Sequence, residues 1–286
     1  MLLQWDSPAT FSVVAADVDA RQWGVAVQSE LLAVGWVVPW AYWDVGAVAT
    51  GASVNPAFGP RGLTLMRDGL NAEQALQSLL RSDASPEIRQ VGLVDRQGLA
   101  AAHTGDGCGA ACGDLVGDGY CCQGSCLQRP EVLREMADCF EGAGGQLADR
   151  LMDALVAGRE VGRGRREQRS AALYVVAEHE GYGGLDHRYV DLRIDDADEP
   201  AEALSELLFK FKVSFHKTGR GDIVPWTFER RRQLLSAPAL EPYLERMEVQ
   251  PRRQLQAALS RLARDRGVHN PELDAGIDGR LWRLLG

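Results

Sequence analysis

Runs of apolar and β-branched residues recur along the first two thirds of the chain and predict strands. These strands are predicted over Thr10–Ala15, Trp23–Gln28, Val45–Thr50, Arg89–Asp95, Leu99–Thr104, Tyr120–Gln123, Arg169–Ala177 and Arg188–Ile194. Turn-type residues at 17–22 and 95–98 predict that the first two runs form one hairpin and that the fourth and fifth form another. The glycine- and aspartate-rich segment 105–119 is predicted to be a loop.

Between the strand pairs, apolar residues recur at helical spacing and predict pairs of helices. The predicted helices cover Gly62–Arg67, the segment after Asn71 as N-cap, Pro130–Phe140 and Gln146–Ala157. Hairpins that alternate with helix pairs favour antiparallel sheets covered by helices over a doubly wound parallel sheet. The sequence therefore predicts a mixed α/β (α+β) fold whose elements are arranged as a four-layer α/β/β/α sandwich.

The composition becomes helical after the acidic segment Asp195–Pro200. Helices are predicted over 201–216, 226–235, 251–266 and 278–285. We place a domain boundary near residue 197 and expect three parts: an N-terminal extension (1–9), the α/β domain (10–196) and a small all-helical domain (197–286).

The charge balance and the apolar pattern restrict the possible partners. Among 286 residues, 31 Lys plus Arg against 40 Asp plus Glu give a formal net charge of −9, which opposes nucleic-acid binding. The apolar runs stay below the roughly 18 residues that span a bilayer, so we expect no membrane insertion. The start of the chain carries no basic segment of the signal-peptide type, which favours a cytoplasmic protein. A small molecule remains the expected partner, and a homo-oligomer is compatible with the sequence.

The common cofactor motifs are missing from the sequence. The glycine-rich segment 104–119 lacks the Gly-Lys-Ser/Thr end of a phosphate loop and carries three acids, so an ordinary loop is favoured over a nucleotide site. The six cysteines, which are spaced unlike structural zinc ligands, are expected to be small buried apolar residues. We therefore predict no metal and no other cofactor.

Several short sequence strings, in order, cover about residues 10–196. They are Thr10–Ala15, Gly24–Ser29, Ala33–Trp40, Gly46–Thr50, Asn55–Gly62, Arg89–Asp95, Gly119–Gly124, Ser170–Leu173 and Tyr189–Arg193. Together they closely resemble the family known as domain of unknown function 1028. The tail, through Leu204–Leu208 and Asp274–Trp282, resembles a small peptidoglycan-binding-like domain that often follows it.

The resemblance implies the fold of the amino-terminal-nucleophile (Ntn) hydrolases and a nucleophile at Thr10. In those enzymes the first residue of the mature chain attacks an amide carbonyl with its side chain and uses its own α-amine as base. Relatives often place this Thr directly after the initiator Met, whereas nine residues precede Thr10 here. Catalysis would therefore require proteolysis or self-processing. The alternative is that Thr10 is simply a β-branched residue that opens a strand.

The segment Gln28-Ser29-Glu30 is expected at the end of the strand that neighbours Thr10. There the hydroxyl of Ser29 and the carboxylate of Glu30 would hold or relay a proton, and Gln28 would help to bind substrate. Relatives commonly carry Lys at the position of Glu30. The alternative for Glu30 is a solvated acid at a strand end.

Four further residues complete the candidate substrate site. Asn55 and Gln123 are suited to an amide or ureido group or to an oxyanion, or they tie down loop backbone. Arg61 either anchors the Pro-Arg-Gly turn or binds a carboxylate. Arg169, like Gly51, stands where relatives often carry Gln, which alters the polarity of the pocket.

The resulting hypothesis is an amidohydrolase that acts on C–N bonds of a small linear or cyclic amide or ureide. The competing hypothesis is a non-catalytic binding protein that uses the sandwich and the helical tail for a glycan or protein partner. A peptidoglycan role for the tail conflicts with the expected cytoplasmic location.

Overall fold

A computed structural model describes residues 8–109, 111–162, 168–215, 223–225 and 276–278. The chain divides into two compact units, Met1–Leu207 and Leu208–Gly286. The domain boundary predicted near residue 197 stays a prediction. In the second unit, the short strands Ile223–Pro225 and Gly276–Asp278 pair antiparallel.

The first unit combines ten strands with helices over its described residues. The strands are β1 (Thr10–Asp17), β2 (Gln22–Ser29), β3 (Pro39–Tyr42), β4 (Gly46–Ala52), β5 (Arg89–Asp95), β6 (Ala100–Thr104), β7 (Gly113–Gly117), β8 (Tyr120–Ser125), β9 (Ser170–Ala177) and β10 (Arg188–Ile194). The helices are α1 (Phe58–Arg67), α2 (Ala72–Ser82), α3 (Glu131–Gly142), α4 (Leu147–Gly162) and α5 (Pro200–Ser214), the last of which runs from the first unit into the second.

The strands form two antiparallel sheets. The large sheet has the order β10-β9-β2-β1-β8-β7, and the small sheet has the order β3-β4-β5-β6. The hairpins β1–β2 and β5–β6 confirm both predicted hairpins. A mixed α/β fold with antiparallel sheets is therefore confirmed.

The two sheets share an apolar core because alternate residues of each strand point toward the other sheet. Val14 and Val27 of the large sheet and Ala49 and Val94 of the small sheet are completely buried in this core. The opposite face of the small sheet packs on α1 and α2 through a second core that includes Val48 and Leu79.

Helix α4 lies against the other face of the large sheet. Glycines permit the close approach: a Cβ on Gly158 of α4 would lie 3.3 Å from the Phe11 ring, and one on Gly24 of β2 would lie 3.0 Å from Leu151 of α4. Helix α3 packs beside α4 and against β7 and β8. The helices therefore cover the outer faces of both sheets.

Asn71 caps α2 as the sequence predicts. Its side chain accepts a hydrogen bond from Gln74 N–H at 2.9 Å, and Gln74 Oε1 accepts from Asn71 N–H at 3.0 Å. This reciprocal capping box satisfies two N–H groups at the helix start. The carboxylate of Asp95 accepts from Ala72 N–H at 3.0 Å and joins the same helix end to β5.

The structure differs from the sequence expectations in three places. Residues 113–117 form the edge strand β7, so the loop prediction over 105–119 is wrong there. The short strand β3, in an apolar run for which no element was predicted, pairs with β4. Helix α1 begins at Phe58, so the expected Pro-Arg-Gly turn at 60–62 is helical.

The predictions for the tail are only partly covered by the described residues. The helix predicted over 201–216 is confirmed as α5. The helices predicted over 226–235, 251–266 and 278–285 lie outside the described residues, apart from Asp278, which ends a strand. Among the residues that the structure describes, no helix is long and apolar enough to cross a membrane.

Candidate functional site

Four hydroxyl residues lie side by side across neighbouring strands at one end of the large sheet. Thr10 of β1 pairs with Ser29 of β2 and with Ser125 of β8, and Ser29 pairs with Ser170 of β9. None of the four is more than 3% exposed. We call Ser125, Thr10, Ser29 and Ser170 the hydroxyl row. It lies on the face toward the small sheet, because Val14, four residues after Thr10, is part of the inter-sheet core.

Thr10 and Ser29 are in direct contact through their hydroxyl groups. Thr10 Oγ1 lies 2.7 Å from Ser29 Oγ and 3.2 Å from the carbonyl oxygen of Pro8, to which it donates. Either hydroxyl can be the donor in the Thr10–Ser29 contact; when Thr10 donates to the Pro8 carbonyl, Ser29 donates to Thr10. Leu31 N–H donates to Ser29 Oγ at 3.0 Å and fixes that side chain from the other side.

Glu30 forms two hydrogen bonds with Ala9, the residue immediately before Thr10. Ala9 N–H donates to Glu30 Oε2 at 2.8 Å, and Glu30 N–H donates to the Ala9 carbonyl oxygen at 3.0 Å. The carbonyl that would be attacked in processing of the Ala9–Thr10 bond therefore accepts a hydrogen bond from a fixed backbone donor. A donor of this kind stabilises negative charge on a carbonyl oxygen.

Two further polar side chains face the gap between the sheets beside the hydroxyl row. Gln123 Nε2 donates to Ser12 Oγ at 2.7 Å, and Ser12 lies two residues after Thr10 on the same face of β1. Gln123 Oε1 and Ser125 Oγ are buried and have no hydrogen-bond partner among the described residues. Buried polar atoms normally have a partner, so these two oxygens are exceptions beside the hydroxyl row.

A second buried amide extends the polar region onto the small sheet. Gln90 Nε2 donates to Thr104 Oγ1 at 3.0 Å, to the Gly113 carbonyl at 3.2 Å and to the Gly124 carbonyl at 2.9 Å. A Cβ at Gly51 would lie 2.9 Å from Gln90 Oε1. Gly51 therefore leaves space for this amide.

The structure brings together four of the eight predicted site residues: Thr10, Ser29, Glu30 and Gln123. Gln28 lies on the opposite face of β2, because it pairs with Phe11, whose ring lies near α4. Asn55 Nδ2 donates to Asp83 Oδ2 at 2.7 Å, and Asn55 Oδ1 accepts from Ala57 N–H at 3.1 Å.

The two predicted arginines have partners of their own. Arg61 donates to Ser82 Oγ at 2.8 Å at the exposed ends of α1 and α2. Arg169 forms an exposed ion pair with Asp196 at 2.9 Å, although its backbone N–H donates to the Ser29 carbonyl at 2.8 Å. Substrate binding by Gln28, Asn55, Arg61 and Arg169 stays a prediction.

Sequence reasoning missed Ser12, Gln90, Thr104, Ser125 and Ser170. The available signal was polarity inside strands: Ser12 interrupts a run of apolar residues, and Gln90 and Gln123 each border one. A buried amide or hydroxyl in such a run needs a partner from another strand.

Electrostatic conditions near the cysteines differ from those of reactive thiols. Burial raises the pKa of Cys121 and of Cys122, and it raises the pKa of Cys108 to about 11. Over the described ranges, no group of three or more His, Cys, Asp or Glu side chains is placed to hold a metal ion.

The fold and site together define a mixed α/β protein with a buried hydroxyl row where β1, β2, β8 and β9 meet. The model of a family of unknown function, DUF1028, matches residues 10–204, and the chain belongs to this family. The match begins at Thr10, the first residue of β1.

A solved structure from the same family has a similar fold. The crystal structure of protein SPO2555 from Silicibacter pomeroyi, described as DUF1028, is 29% identical with a TM-score of 0.65. The alignment covers 71% of this chain and 86% of that chain. No curated protein matches the chain.

Proposed function

We propose that this protein is an amidohydrolase of the N-terminal-nucleophile type, with Thr10 as nucleophile after hydrolysis of the Ala9–Thr10 peptide bond. Its substrate is a small linear or cyclic amide or ureide. The observation that carries the proposal is the 2.7 Å contact between the buried hydroxyls of Thr10 and Ser29. Beside it lie two buried oxygens that have no hydrogen-bond partner within the described part of the chain.

The layering of the first unit supports the same class. One helix pair, the large sheet, the small sheet and a second helix pair follow one another, which agrees with the α/β/β/α sandwich of the Ntn hydrolases. The hydroxyl of Thr10 faces the gap between the sheets at the start of the first strand. Fold similarity alone is a weak basis for function, so the site geometry has to support the assignment.

Processing consumes one water molecule and yields a carboxylate on Ala9 and a free amine on Thr10. Thr10 Oγ1 adds to the Ala9 carbonyl carbon, the hydroxyl proton passes to the Thr10 nitrogen as the C–N bond breaks to give an ester, and water then hydrolyses the ester. Glu30 N–H already bonds the Ala9 carbonyl oxygen, where negative charge develops.

In the processed enzyme the freed α-amine takes the proton from Thr10 Oγ1 as the hydroxyl attacks the substrate carbonyl. The proton passes to the leaving nitrogen, and a water molecule hydrolyses the acyl ester and restores the Thr10 hydroxyl. Ser29 orients the nucleophile through its hydroxyl. Gln123 Oε1 accepts an N–H of the bound amide, and the Ser125 hydroxyl supplies a further polar contact.

We further propose that the protein is cytoplasmic. We also propose that the tail has a peptidoglycan-binding-like fold without a peptidoglycan-binding role. These proposals rest on the composition and the sequence resemblance described above.

Intact-mass spectrometry of the purified full chain tests the nucleophile. We expect a species that lacks residues 1–9, whereas Thr10→Ala stays full length and Thr10→Ser is processed. Thr10→Ala incubated with the wild-type protein controls for a contaminating protease, because a protease would cut it as well. The processed protein is then assayed against a panel of amides and ureides. A wild-type chain that stays full length contradicts the proposal.

The nine residues that precede Thr10 favour one second candidate, a non-catalytic binding protein. An amide nitrogen is not basic, and the Thr10 proton is donated to the Pro8 carbonyl. A cleft of about 210 Å³, lined by Trp36, Trp40, Tyr174, Asp191 and Arg193 among others, offers aromatic and charged groups for a glycan or protein partner. A full-length mass combined with glycan binding that is lost in Trp36→Ala would establish this function instead.

A further inference from the structure

Cys112 and Cys126 lie beside each other where the antiparallel pairing of β7 and β8 ends. Cys112 directly precedes β7, and Cys126 directly follows β8. Leu127 N–H donates to the Ala111 carbonyl oxygen at 2.9 Å, so the two segments stay hydrogen-bonded beyond the strands. Because antiparallel segments run in opposite directions, the residue after Ala111 and the residue before Leu127 face each other. Those two residues are the cysteines.

The two thiols also converge on one backbone position, Gly109. Cys112 Sγ donates to the Gly109 carbonyl oxygen at 3.1 Å. A Cβ placed on Gly109 would lie 3.6 Å from Cys126 Sγ. Residues that face each other across antiparallel segments have Cα atoms about 4.5–5.5 Å apart, within the range of about 4.4–6.8 Å that a disulfide requires. The backbone arrangement therefore suits a disulfide between these two cysteines.

Accessibility distinguishes this pair from the neighbouring thiols. Cys112 and Cys126 are half-buried, so an oxidant from solvent can reach them. Cys121 and Cys122 are buried in β8, and burial raises the pKa of each. Burial, together with the nearby thiols of the pair, raises the pKa of Cys108 to about 11. Because the thiolate is the reactive form, these three buried cysteines compete poorly for an oxidant.

We propose that Cys112 and Cys126 form an oxidation site that hydrogen peroxide converts into an intramolecular disulfide. One thiol loses its proton and its sulfur attacks a peroxide oxygen, so that the O–O bond breaks to give a sulfenic acid and one water. The other thiol then attacks the sulfenic sulfur, the S–S bond forms, and a second water leaves. The two sulfurs are oxidised and the peroxide is reduced.

The disulfide would form next to the hydroxyl row. Ser125 directly precedes Cys126 and pairs with Thr10, so the cross-link ties the end of β8 beside Thr10 to the start of β7. In a reducing compartment both residues stay thiols, and the disulfide lasts only while an oxidant is present. The site is therefore a reversible modification, and it does not depend on the hydrolase function proposed above.

Peptide mapping of the full chain tests the pair. Reduced protein is treated with hydrogen peroxide, alkylated in denaturant without reductant, and digested with a protease that cuts before aspartate. Cuts before Asp114 and Asp118 place the two cysteines in different peptides. We expect these peptides to stay joined, the chain to lose two hydrogen atoms (about 2 Da), and dithiothreitol to separate the peptides. The Cys112–Cys126 link should exceed every other link at least about tenfold in the folded protein, and this preference should disappear in concentrated urea.

Serine variants identify the two sulfurs. Cys112→Ser and Cys126→Ser should each abolish the link. Cys108→Ser removes the buried neighbour and should keep the link. Cys139→Ser removes another half-buried thiol, on α3, and is the matched control that should also keep it.

Several results would overturn the proposal. They are thiols that peroxide leaves unchanged, sulfinic acids without a link, a link between Cys108 and Cys126, and a link that joins two chains only. A link that persists in Cys112→Ser has the same meaning. If a variant does not fold, fragment-ion sequencing of the joined wild-type peptides identifies the linked cysteines and decides.

Discussion

The hydroxyl oxygens of Thr10 and Ser29 lie 2.7 Å apart at directly opposed positions of β1 and β2. Residues opposed across two antiparallel strands have neighbouring side chains on the same face of the sheet. The hairpin therefore fixes the contact, and both side chains are buried, with Ser29 at 0% exposure. The position of Thr10 does not depend on a mobile loop.

Ser29→Ala tests how strongly this contact stabilises the sheet. The substitution removes the hydrogen bond to Thr10 and leaves Leu31 N–H without its acceptor. We expect the free energy of unfolding to fall by about 1–3 kcal/mol, because buried polar groups lose their partners. Urea unfolding monitored by circular dichroism measures the change.

Ser82→Ala provides the matched control for this experiment. The Ser82 hydroxyl also has two partners, the Leu79 carbonyl and Arg61, but its contact with Arg61 is exposed to solvent. We expect a loss below about 0.5 kcal/mol there. Equal losses at the two serines would mean that burial of the Thr10–Ser29 pair contributes nothing.

Gly92 of β5 leaves the space that Gln123 occupies in the gap between the sheets. A Cβ at Gly92 would overlap Gln123 Oε1 and lie 2.8 Å from Cys121 Sγ. Gly92→Ala should therefore destabilise the protein by about 1–3 kcal/mol through overpacking. Urea unfolding checks this value.

A double mutant assigns the cause of that loss. Gln123→Ala removes the side chain that the new methyl group meets, so Gly92→Ala should cost less in the Gln123→Ala background than alone. Gly142→Ala at the end of α3 is the control, because a Cβ there meets nothing within 4 Å. It should be neutral or slightly stabilising. Strict additivity of Gly92→Ala and Gln123→Ala would contradict direct contact.

The sequence could predict the part of the site that depends on local pattern. Thr10, Ser29 and Glu30 belong to one hairpin, whose strands and turn follow from alternation and turn residues. Once the hairpin is predicted, the end of β2 must lie beside the start of β1. Helix α2 was predictable for the same reason, since its cap Asn71 and its apolar face are local.

Contacts between distant segments could not be predicted in this way. Gln123 and Ser12 meet across 111 residues of sequence, and Gln90 reaches the Gly124 carbonyl across 34. No local period encodes such pairs. The edge strand β7 was missed because two of its five residues are glycines and none of the five is buried, and only its pairing with β8 defines it as a strand.

The carboxylate of Asp83 makes stability depend on pH. Its side chain is 4% exposed, and burial alone would raise its pKa. Hydrogen bonds from Ser85 N–H, Asn55 and Arg89 outweigh burial, so the pKa of Asp83 lies below the unfolded value of 3.8. A lowered pKa means that the stabilisation is complete above the unfolded value and is lost as pH falls through the folded one.

Asp83→Asn should therefore be less stable than the wild-type protein at pH near 7, by about 1–3 kcal/mol. The difference in unfolding free energy should shrink as pH falls below the unfolded value of 3.8. Urea unfolding at a series of pH values measures both curves. Above roughly pH 6 the two curves should run parallel, since Asp83 stays ionised there in both states. A constant difference down to low pH would contradict the lowered pKa.

We expect the buried cysteine thiols to react more slowly than a half-buried one. Cys121 and Cys122 are buried in β8, and burial raises the pKa of each. Cys112, directly before β7, is half-buried. Because the thiolate is the reactive form, iodoacetamide near pH 8 should label Cys112 at least about tenfold faster than Cys121 or Cys122. Peptide mass mapping over time measures the rates. In concentrated urea the rates should become similar, and similar rates without urea would contradict the burial of β8.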